Sequence, residues 1–135
     1  MPDLDAARLR GPAEAVAVRW EQLVLAARWM RERHALRRPG RPYPPLVPLL
    51  EAARADPVLG RLYPVTSHYA VSFSTLTRMP YDVRLPSVEP LADGRYRLRG
   101  PRHLGAGVTG HATTPHEALA AVAAAAPPDH DPTVT

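Results

Sequence analysis

The apolar residues that follow Pro12 recur at helical spacing and predict a long first helix. They form one continuous stripe, made by Val16, Trp20, Leu23, Val24, Ala27 and Met30. Proline is suited to the first turn of a helix, and Pro39-Gly40 marks the end of this one. Three further apolar residues, Val18, Leu25 and Trp29, lie nearly opposite the stripe. A helix that is apolar on two faces is either enclosed within its domain or presents its second face to a partner.

A second helix is predicted from about Leu46 to Ala55, after a proline-rich connector at residues 41–45. Its inward face consists of Leu46, Leu49, Leu50 and Ala53. The helix ends at Asp56-Pro57, because the residue before a proline avoids the α region. Residues 58–64 are expected to form a compact turn that leads out of the helical part of the chain.

From His68 onward the pattern changes to a period of two, which is typical of strands. The alternation predicts a first strand over residues 68–78, with one apolar and one largely polar face. Residues 81–90 form a second extended run, whose prolines indicate an edge or bulged strand. Asp93-Gly94 is the strongest hairpin signal in the chain. It predicts that residues 95–99 return as a third strand, and a short fourth strand is expected around residues 106–112.

A final helix is predicted after Thr114-Pro-His-Glu117, which combines an N-cap threonine, a first-turn proline and a capping-box glutamate. An alanine-rich run follows it, and Pro127-Pro128 ends it. Residues 1–11 are expected to be a frayed arm and residues 128–135 a disordered tail, which leaves one domain over residues 12–127. The fold class is therefore α+β: a three- to four-stranded antiparallel meander packed against N-terminal helices and a C-terminal helix.

The amino-acid composition excludes several kinds of chemistry but does not identify a function. The 135-residue chain has no cysteine, which excludes disulfides, thiolate metal sites and cysteine nucleophiles. It has no apolar run that could span a bilayer and no secretory signal pattern, so a cytoplasmic location is expected. The net charge is +4 and every basic residue other than histidine is arginine. Such usage is typical of a GC-rich genome, so arginine is a weak marker of phosphate binding here.

Two arginine groups are candidate anion sites. Alternation places Arg95, Arg97 and Arg99 on one face of the predicted third strand, where they would form a row able to bind carboxylate or phosphate. The alternative, which we favour, is that the row is the solvated face of an antiparallel sheet. Residues 28–41 carry the second group, which the helix macrodipole explains without a ligand. No aromatic platform is interleaved with it, so nucleic-acid binding is not expected.

Histidine and serine side chains supply the remaining candidate chemistry. His68, Ser72 and Ser74 share one face of the predicted first strand, where they would line either a pocket or a polar outer surface. The adjacent residues Ser67 and His68 point to opposite faces and cannot form a nucleophile–base pair. The other ligand-type side chains match no standard metal spacing, so no metal is expected; they are His103, His111, His116, Glu117 and His130. Neither a phosphate loop nor a serine elbow is present.

Three segments together resemble a known bacterial family. They are Tyr63-Pro-Val-Thr-Ser-His-Tyr-Ala-Val-Ser-Phe-Ser74, Asp93-Gly-Arg-Tyr96 and Thr114-Pro-His-Glu-Ala-Leu119. The segment Leu46 to Pro57 precedes the first of them, and Pro80 lies between the first and the second. In this order they resemble the family of domains of unknown function number 6193, over about residues 14–127. Its members carry the label natural product biosynthesis protein. The resemblance implies a role in specialised metabolism in a GC-rich bacterium and supplies no catalytic residues.

The leading hypothesis is a small accessory or tailoring protein of natural product biosynthesis that binds a small-molecule or peptide intermediate, or a partner enzyme. Catalysis, if any, would need no cofactor and would use His68, Ser72, Ser74 and His111, with Arg95, Arg97 and Arg99 holding an anionic group. The alternative is a non-enzymatic interaction module, such as an immunity or regulatory protein. Its first helix would bind a protein partner or a second copy through Val18, Leu25 and Trp29.

Overall fold

A computed structural model describes residues 1–101, 105, 107–127 and 130–135, and it confirms the α+β fold class. The helices are α1 (Leu4–Arg10), α2 (Pro12–Arg37), α3 (Leu46–Ala55) and α4 (Pro115–Ala124), and a 3₁₀ turn covers Leu59–Arg61. The strands are β1 (Tyr63–Ser67), β2 (Ala70–Ser74), β3 (Ser87–Pro90), β4 (Tyr96–Arg99) and β5 (Val108–Ala112). They form one antiparallel sheet in the order β1-β2-β3-β4-β5, so the predicted meander is present.

The core lies between the helices and one face of the sheet. The predicted stripe of α2 is buried from Val16 to Ala27, and it meets inward residues of β2, β3 and β4 such as Phe73 and Val88. Trp20 is 1% exposed, and its Nε1 donates to the carbonyl oxygen of Leu62 at 3.1 Å. Each large apolar side chain buried in this way contributes roughly 1.5–3 kcal/mol. The period-3.6 and period-2 patterns therefore meet in one shared core.

The start of α4 follows the predicted capping signal with one change. Thr114 is the N-cap, and its Oγ1 accepts from the backbone N–H of Glu117 at 3.1 Å. In a standard capping box the Glu117 carboxylate would accept from the backbone N–H of the N-cap residue, Thr114, and here it does not. It instead accepts from the backbone N–H and the hydroxyl of Thr113, at 3.2 and 2.9 Å. Thr114 and Glu117 therefore both cap the helix as predicted, but the glutamate bonds the residue before the N-cap rather than the N-cap itself.

The segments expected to be a frayed arm and a disordered tail both contact other parts of the described chain. Residues 4–10 form α1, with Asp3 as N-cap and a completely buried Ala7 packed toward α2. Gly11, at φ 125°, turns the chain directly into α2. At the other end, Thr135 donates to the carbonyl oxygen of Thr75 and accepts from the N–H of Thr77. Local composition does not show the contact of Thr135, because it is made to residues about 60 positions away in the chain.

The sheet has five strands, one more than the upper expectation. The missed strand is β1, which lies partly within the segment expected to be a compact turn. Its proline, Pro64, is tolerated because β1 is an edge strand. The predicted strand over residues 68–78 is shorter and corresponds to β2, while the run over 81–90 contributes only β3 and a single bridge between Ser74 and Val83.

None of the helices in the described ranges is long and apolar enough to cross a membrane.

Candidate functional site

Side chains that point away from the helices form what we term the outer face of the sheet. Alternation along each strand determines which residues belong to it. The pairing of Val71 with Val88 sets Ser72 opposite Ser87 and Ala70 opposite Glu89. The members of the outer face include Val65, Ser67, Ala70, Ser72, Ser74, Ser87, Glu89, Arg97, Arg99 and His111.

The segment between β2 and β3, residues 75–86, covers one end of the outer face. Its attachment point is Ser74, which is completely buried. The Ser74 hydroxyl donates to the carbonyl oxygen of Leu76 at 2.8 Å and accepts from the N–H groups of Leu76 and Asp82, both at 3.0 Å. Tyr81 stacks on Tyr63 of β1, with ring centroids 5.8 Å apart. The last residue of β2 therefore holds the covering segment against the sheet.

Asp82 strengthens this attachment through its charge. The Thr75 hydroxyl donates to Asp82 Oδ2 at 2.7 Å, and Arg84 Nε donates to Oδ1 at 3.1 Å. The hydrogen bond from Thr75, followed by the contact with Arg84, lowers the pKa of Asp82 below its usual range. The backbone N–H of Thr75 also donates to the carbonyl oxygen of Asp82 at 3.1 Å. The segment is thus closed on itself by both main-chain and side-chain bonds.

An open groove of about 1200 Å³ lies between this segment and the outer face. Val65 and Ser72 belong to its floor, and Tyr81 and Leu85 to the wall formed by the segment. Glu89 and Arg99 line it at the third and fourth strands, with Arg99 Nε 3.7 Å from Glu89 Oε2. The groove thus combines an apolar wall, serine hydroxyls and charges that are paired with each other.

His68 does not lie on the predicted strand with Ser72 and Ser74, because β2 begins at Ala70; it lies at the rim of the groove, in the two-residue turn that joins β1 to β2. Its φ is 56°, and it is the only described non-glycine residue with positive φ. A hairpin turn in which only the first central residue has positive φ is of type II′, where glycine is the usual choice. Histidine in this conformation carries strain, and such strain is concentrated at functional sites. The turn also places Tyr69 in the lining of the groove.

The opposite half of the outer face is ionic rather than concave. Arg97 pairs with His111 across β4 and β5, and with Glu89 across β3 and β4. The Arg97 guanidinium donates to Glu89 Oε1 at 2.5 Å. Glu89 therefore faces two arginines, and the predicted row of bare positive charges is partly neutralised by a residue that sequence reasoning did not single out.

Arg95 does not belong to that row, which corrects the predicted third strand. β4 begins at Tyr96, so Arg95 lies in the preceding turn. Its backbone N–H donates to Asp93 Oδ1 at 3.0 Å and its Nε to Oδ2 at 2.9 Å. These bonds lower the pKa of Asp93, first through the backbone N–H and then through the side chain of Arg95. Arg95 thus closes the hairpin whose glycine, Gly94, has φ 89°.

The candidate catalytic residues do not form one cluster. His68 and Ser72 both line the groove, whereas the hydroxyl of Ser74 is fully used by the covering segment. His111 is exposed on β5, three strand spacings or roughly 14 Å from β2. Of the three arginines, Arg99 alone lines the groove among the described residues.

Sequence reasoning missed Tyr81, Leu85 and Glu89. The first two belong to a segment whose position depends on contacts made by Ser74, so no local pattern announces them. Glu89 had a usable signal: Glu89 and Arg97 each lie four residues from Asp93. A three-residue hairpin loop centred on Asp93 pairs these opposite charges across two strands, whereas a two-residue Asp93-Gly94 loop would set Glu89 opposite Leu98.

The predicted partner face of α2 is only partly open. Gln22 lies one turn after Val18 on the same side of the helix, and its Nε2 donates to the carbonyl oxygen of Pro2 at 2.7 Å. The N-terminal segment thus reaches this side of α2, and Val18 is half-buried. Leu25 and Trp29, further along the same side, are 40% and 58% exposed.

Within the described residues, no group of three or more histidines and carboxylates could hold a metal ion, and His103 lies outside them.

A family model described as a family of unknown function (DUF6193) matches residues 14–135, nearly the whole chain. No curated protein and no solved structure matches the sequence.

Proposed function

The chain belongs to the family of unknown function DUF6193, and we propose that it binds a small-molecule or peptide intermediate of natural product biosynthesis in the groove of the outer face. The proposal includes a cytoplasmic location in a bacterium. The binding role is supported by a groove large enough for such a molecule, and its place in biosynthesis rests on what the family resemblance of the sequence implies.

The main observation behind this proposal is the size and lining of the groove. Its volume of about 1200 Å³ slightly exceeds the usual 300–1,000 Å³ of small-molecule sites. Its partly exposed apolar contributors, Val65 and Tyr81, favour a ligand with an apolar body, while Leu85 is buried in the core. The charges that line it are paired, Arg84 with Asp82 and Arg99 with Glu89. An amphipathic ligand with polar ends that exchange hydrogen bonds with serine hydroxyls and these ion pairs fits the lining best.

The arrangement favours binding over catalysis. In the described part of the chain, no hydrogen bond joins His68 to a serine hydroxyl, so no nucleophile–base pair is formed. His68 is exposed at the rim, where it would contact the polar end of a ligand rather than its centre. Should a reaction occur, His68 would move a proton and Arg99 would hold an anionic group.

The proposal is tested directly with the dye 8-anilinonaphthalene-1-sulfonate, which combines an apolar body with one anionic group. The dye should fluoresce in the presence of the native protein, and Ser72→Phe should remove most of the enhancement by filling the groove floor. Ala120→Phe, on the exposed side of α4, adds the same ring away from the groove and should leave the enhancement unchanged. Equal loss in both variants, or in neither, would exclude the groove as the binding site.

A genetic experiment tests the biosynthetic part of the proposal. Deletion of the gene from its host should remove or truncate one specialised metabolite, as measured by liquid chromatography with mass spectrometry. Complementation with the native gene or with Ala120→Phe should restore the metabolite, and complementation with Ser72→Phe should not. An unchanged metabolite profile in the deletion strain would contradict a role in biosynthesis while leaving the dye result intact.

A further inference from the structure

A second recess lies at the C-terminal end of α2, outside the groove. We term it the basic recess; its volume is about 230 Å³, and it is lined mainly by Trp29, Met30, Arg33, Arg37, Tyr43 and Tyr69. Tyr43 comes from the proline-rich connector, and Tyr69 from the β1–β2 turn. The volume is below the usual range for a self-sufficient small-molecule site, so the recess is suited to one side chain of a larger partner.

Aromatic rings form the walls of the basic recess. Tyr43 contacts the His34 ring at 5.2 Å and meets Tyr69 edge-on at 5.7 Å between centroids. The guanidinium of Arg33 lies over the Trp29 ring at 5.1 Å. The Tyr43 hydroxyl is buried without a hydrogen-bond partner in the described structure. Burial, and then the neighbouring Tyr69, raise the pKa of Tyr43. Packed rings and an unused hydroxyl are typical of a surface that a partner completes.

The charge around the recess is unbalanced. Residues 31–41 contain five arginines and one carboxylate, Glu32. The seven ion pairs among the described residues all use arginines outside this stretch, including Arg28, which pairs with Glu51 at 2.7 Å. Elsewhere the protein thus neutralises many of its arginines with its own carboxylates, and here it does not. The helix macrodipole accounts for the position of these charges, and among possible occupants electrostatic complementarity favours an acidic one.

The apolar residues beside the recess distinguish between acidic occupants. Leu25 and Met30 are each about 40% exposed, and Trp29 is exposed beside them. Nucleic acid would use the rings and the arginines, but it has little use for exposed aliphatic side chains. Trp, Tyr, Met and Arg are the residue types enriched at protein interfaces and at their energetic hot spots. The combination favours a protein partner.

We propose that the C-terminal half of α2 docks an acidic helix of a partner protein. One apolar side chain of that helix enters the basic recess between Trp29 and Tyr43, and flanking carboxylates face Arg33, Arg37 and Arg38. Tyr69 lines both the recess and the groove, so the docked partner lies against the rim of the groove. This interaction is independent of whether the groove binds a ligand.

The test uses a fluorescein-labelled 16-residue helical peptide with leucines at positions i and i+4 and glutamates on either side of them. Fluorescence anisotropy should show binding to the native protein. Trp29→Ala should weaken binding about 30-fold, as for a hot-spot residue. Arg33→Glu/Arg37→Glu should weaken it at least about tenfold, because like charges then face each other. Arg54→Glu/Arg61→Glu makes the same charge change at other exposed arginines and should bind as the native protein does.

Two further probes carry the same label: a scrambled peptide of identical composition and a 16-nucleotide oligothymidine. Both should bind more weakly than the amphipathic helix. Equal binding of the scrambled peptide, equal loss in Arg54→Glu/Arg61→Glu, or no binding of the helix would overturn the proposal. Tighter binding of the oligothymidine at the same salt concentration would also overturn it and would assign the recess to single-stranded nucleic acid.

Discussion

The two halves of the outer face have the same strand pattern but different surfaces. Over β1 and β2 the face lies beneath residues 75–86 and forms a concave groove with apolar walls. Over β4 and β5 the described face is open, and Glu89, Arg97 and His111 form a line of polar side chains across three strands. Alternation provides outward residues in both halves. The difference comes from one loop and from the serine that holds it.

This comparison separates two roles that neighbouring residues of one type can play. Ser72 and Ser74 lie on the same side of β2, two residues apart, yet Ser72 is available to a ligand and Ser74 is part of the scaffold. A site that is formed by a loop on a sheet needs both: open side chains for contact and buried ones that hold the loop in place. Three substitutions test this division, from the largest expected effect to the smallest.

Ser74→Ala should destabilise the protein by about 1–3 kcal/mol, because it leaves the part-buried N–H groups of Leu76 and Asp82 without their acceptor. The free energy of unfolding from urea titration measures the effect. Ser72→Ala is the matched control, since the described structure gives its hydroxyl no hydrogen bond, and it should stay within about 0.5 kcal/mol of the native protein. Similar values for the two variants would remove the distinction between scaffold and contact serine.

Glu89→Gln should cost about 0.5–1 kcal/mol, because the neutral side chain loses its ion pairs with Arg97 and Arg99. The loss should shrink as salt is added, since the pairs are partly exposed. Glu32→Gln changes an exposed carboxylate with no ion pair in the described structure, and it should have a smaller effect in the same urea titration. A salt-independent loss at Glu89 would indicate packing rather than charge.

Asp82→Asn should make the stability of the protein less sensitive to acid. The folded-state pKa of Asp82 lies below its reference value of 3.8, so the carboxylate contributes stability above about pH 4 and loses it as pH falls through the folded-state pKa. The slope of unfolding free energy between pH 6 and pH 3 should therefore be smaller in the variant. Thr75→Val removes the main cause of the shift and should flatten the slope in the same direction. Native slopes in both variants would show that the Thr75–Asp82 contact does not stabilise the segment.

Much of the fold was predictable because its signals are local. The apolar stripe of α2, the Asp93-Gly94 hairpin and the Thr114 cap each depend on residues within a few positions of one another. The missed elements are short, and their contacts do not show in the local pattern: Arg8 of α1 donates to the Tyr63 hydroxyl and to the carbonyl oxygen of Thr77, and β1 pairs with β2 through a turn that carries no glycine. The edge position that tolerates Pro64 in β1 exists only once the sheet is assembled.

The candidate site was predictable in part. Placing Ser72 outward on a strand required only its alternation with Val71 and Phe73, and that prediction is confirmed. Alternation placed Ser74 on the correct face but did not predict its burial, because alternation gives the direction of a side chain and not which segment covers it. It failed for Arg95, because the hairpin turn ends one residue later than the charge pattern suggested.

The sequence by itself determined α2, α3 and α4, the order of the strands from β2 to β5 and the outward direction of most of their polar residues, because periodicity and turn chemistry act over a few residues. The tertiary structure alone decided which polar residues became a groove, since that depends on a loop folding back over β2. It also brought Tyr43 and Tyr69 beside the arginines of α2, where the linear sequence shows no aromatic platform. Contacts between residues that are distant in the chain create both surfaces, and no local pattern encodes them.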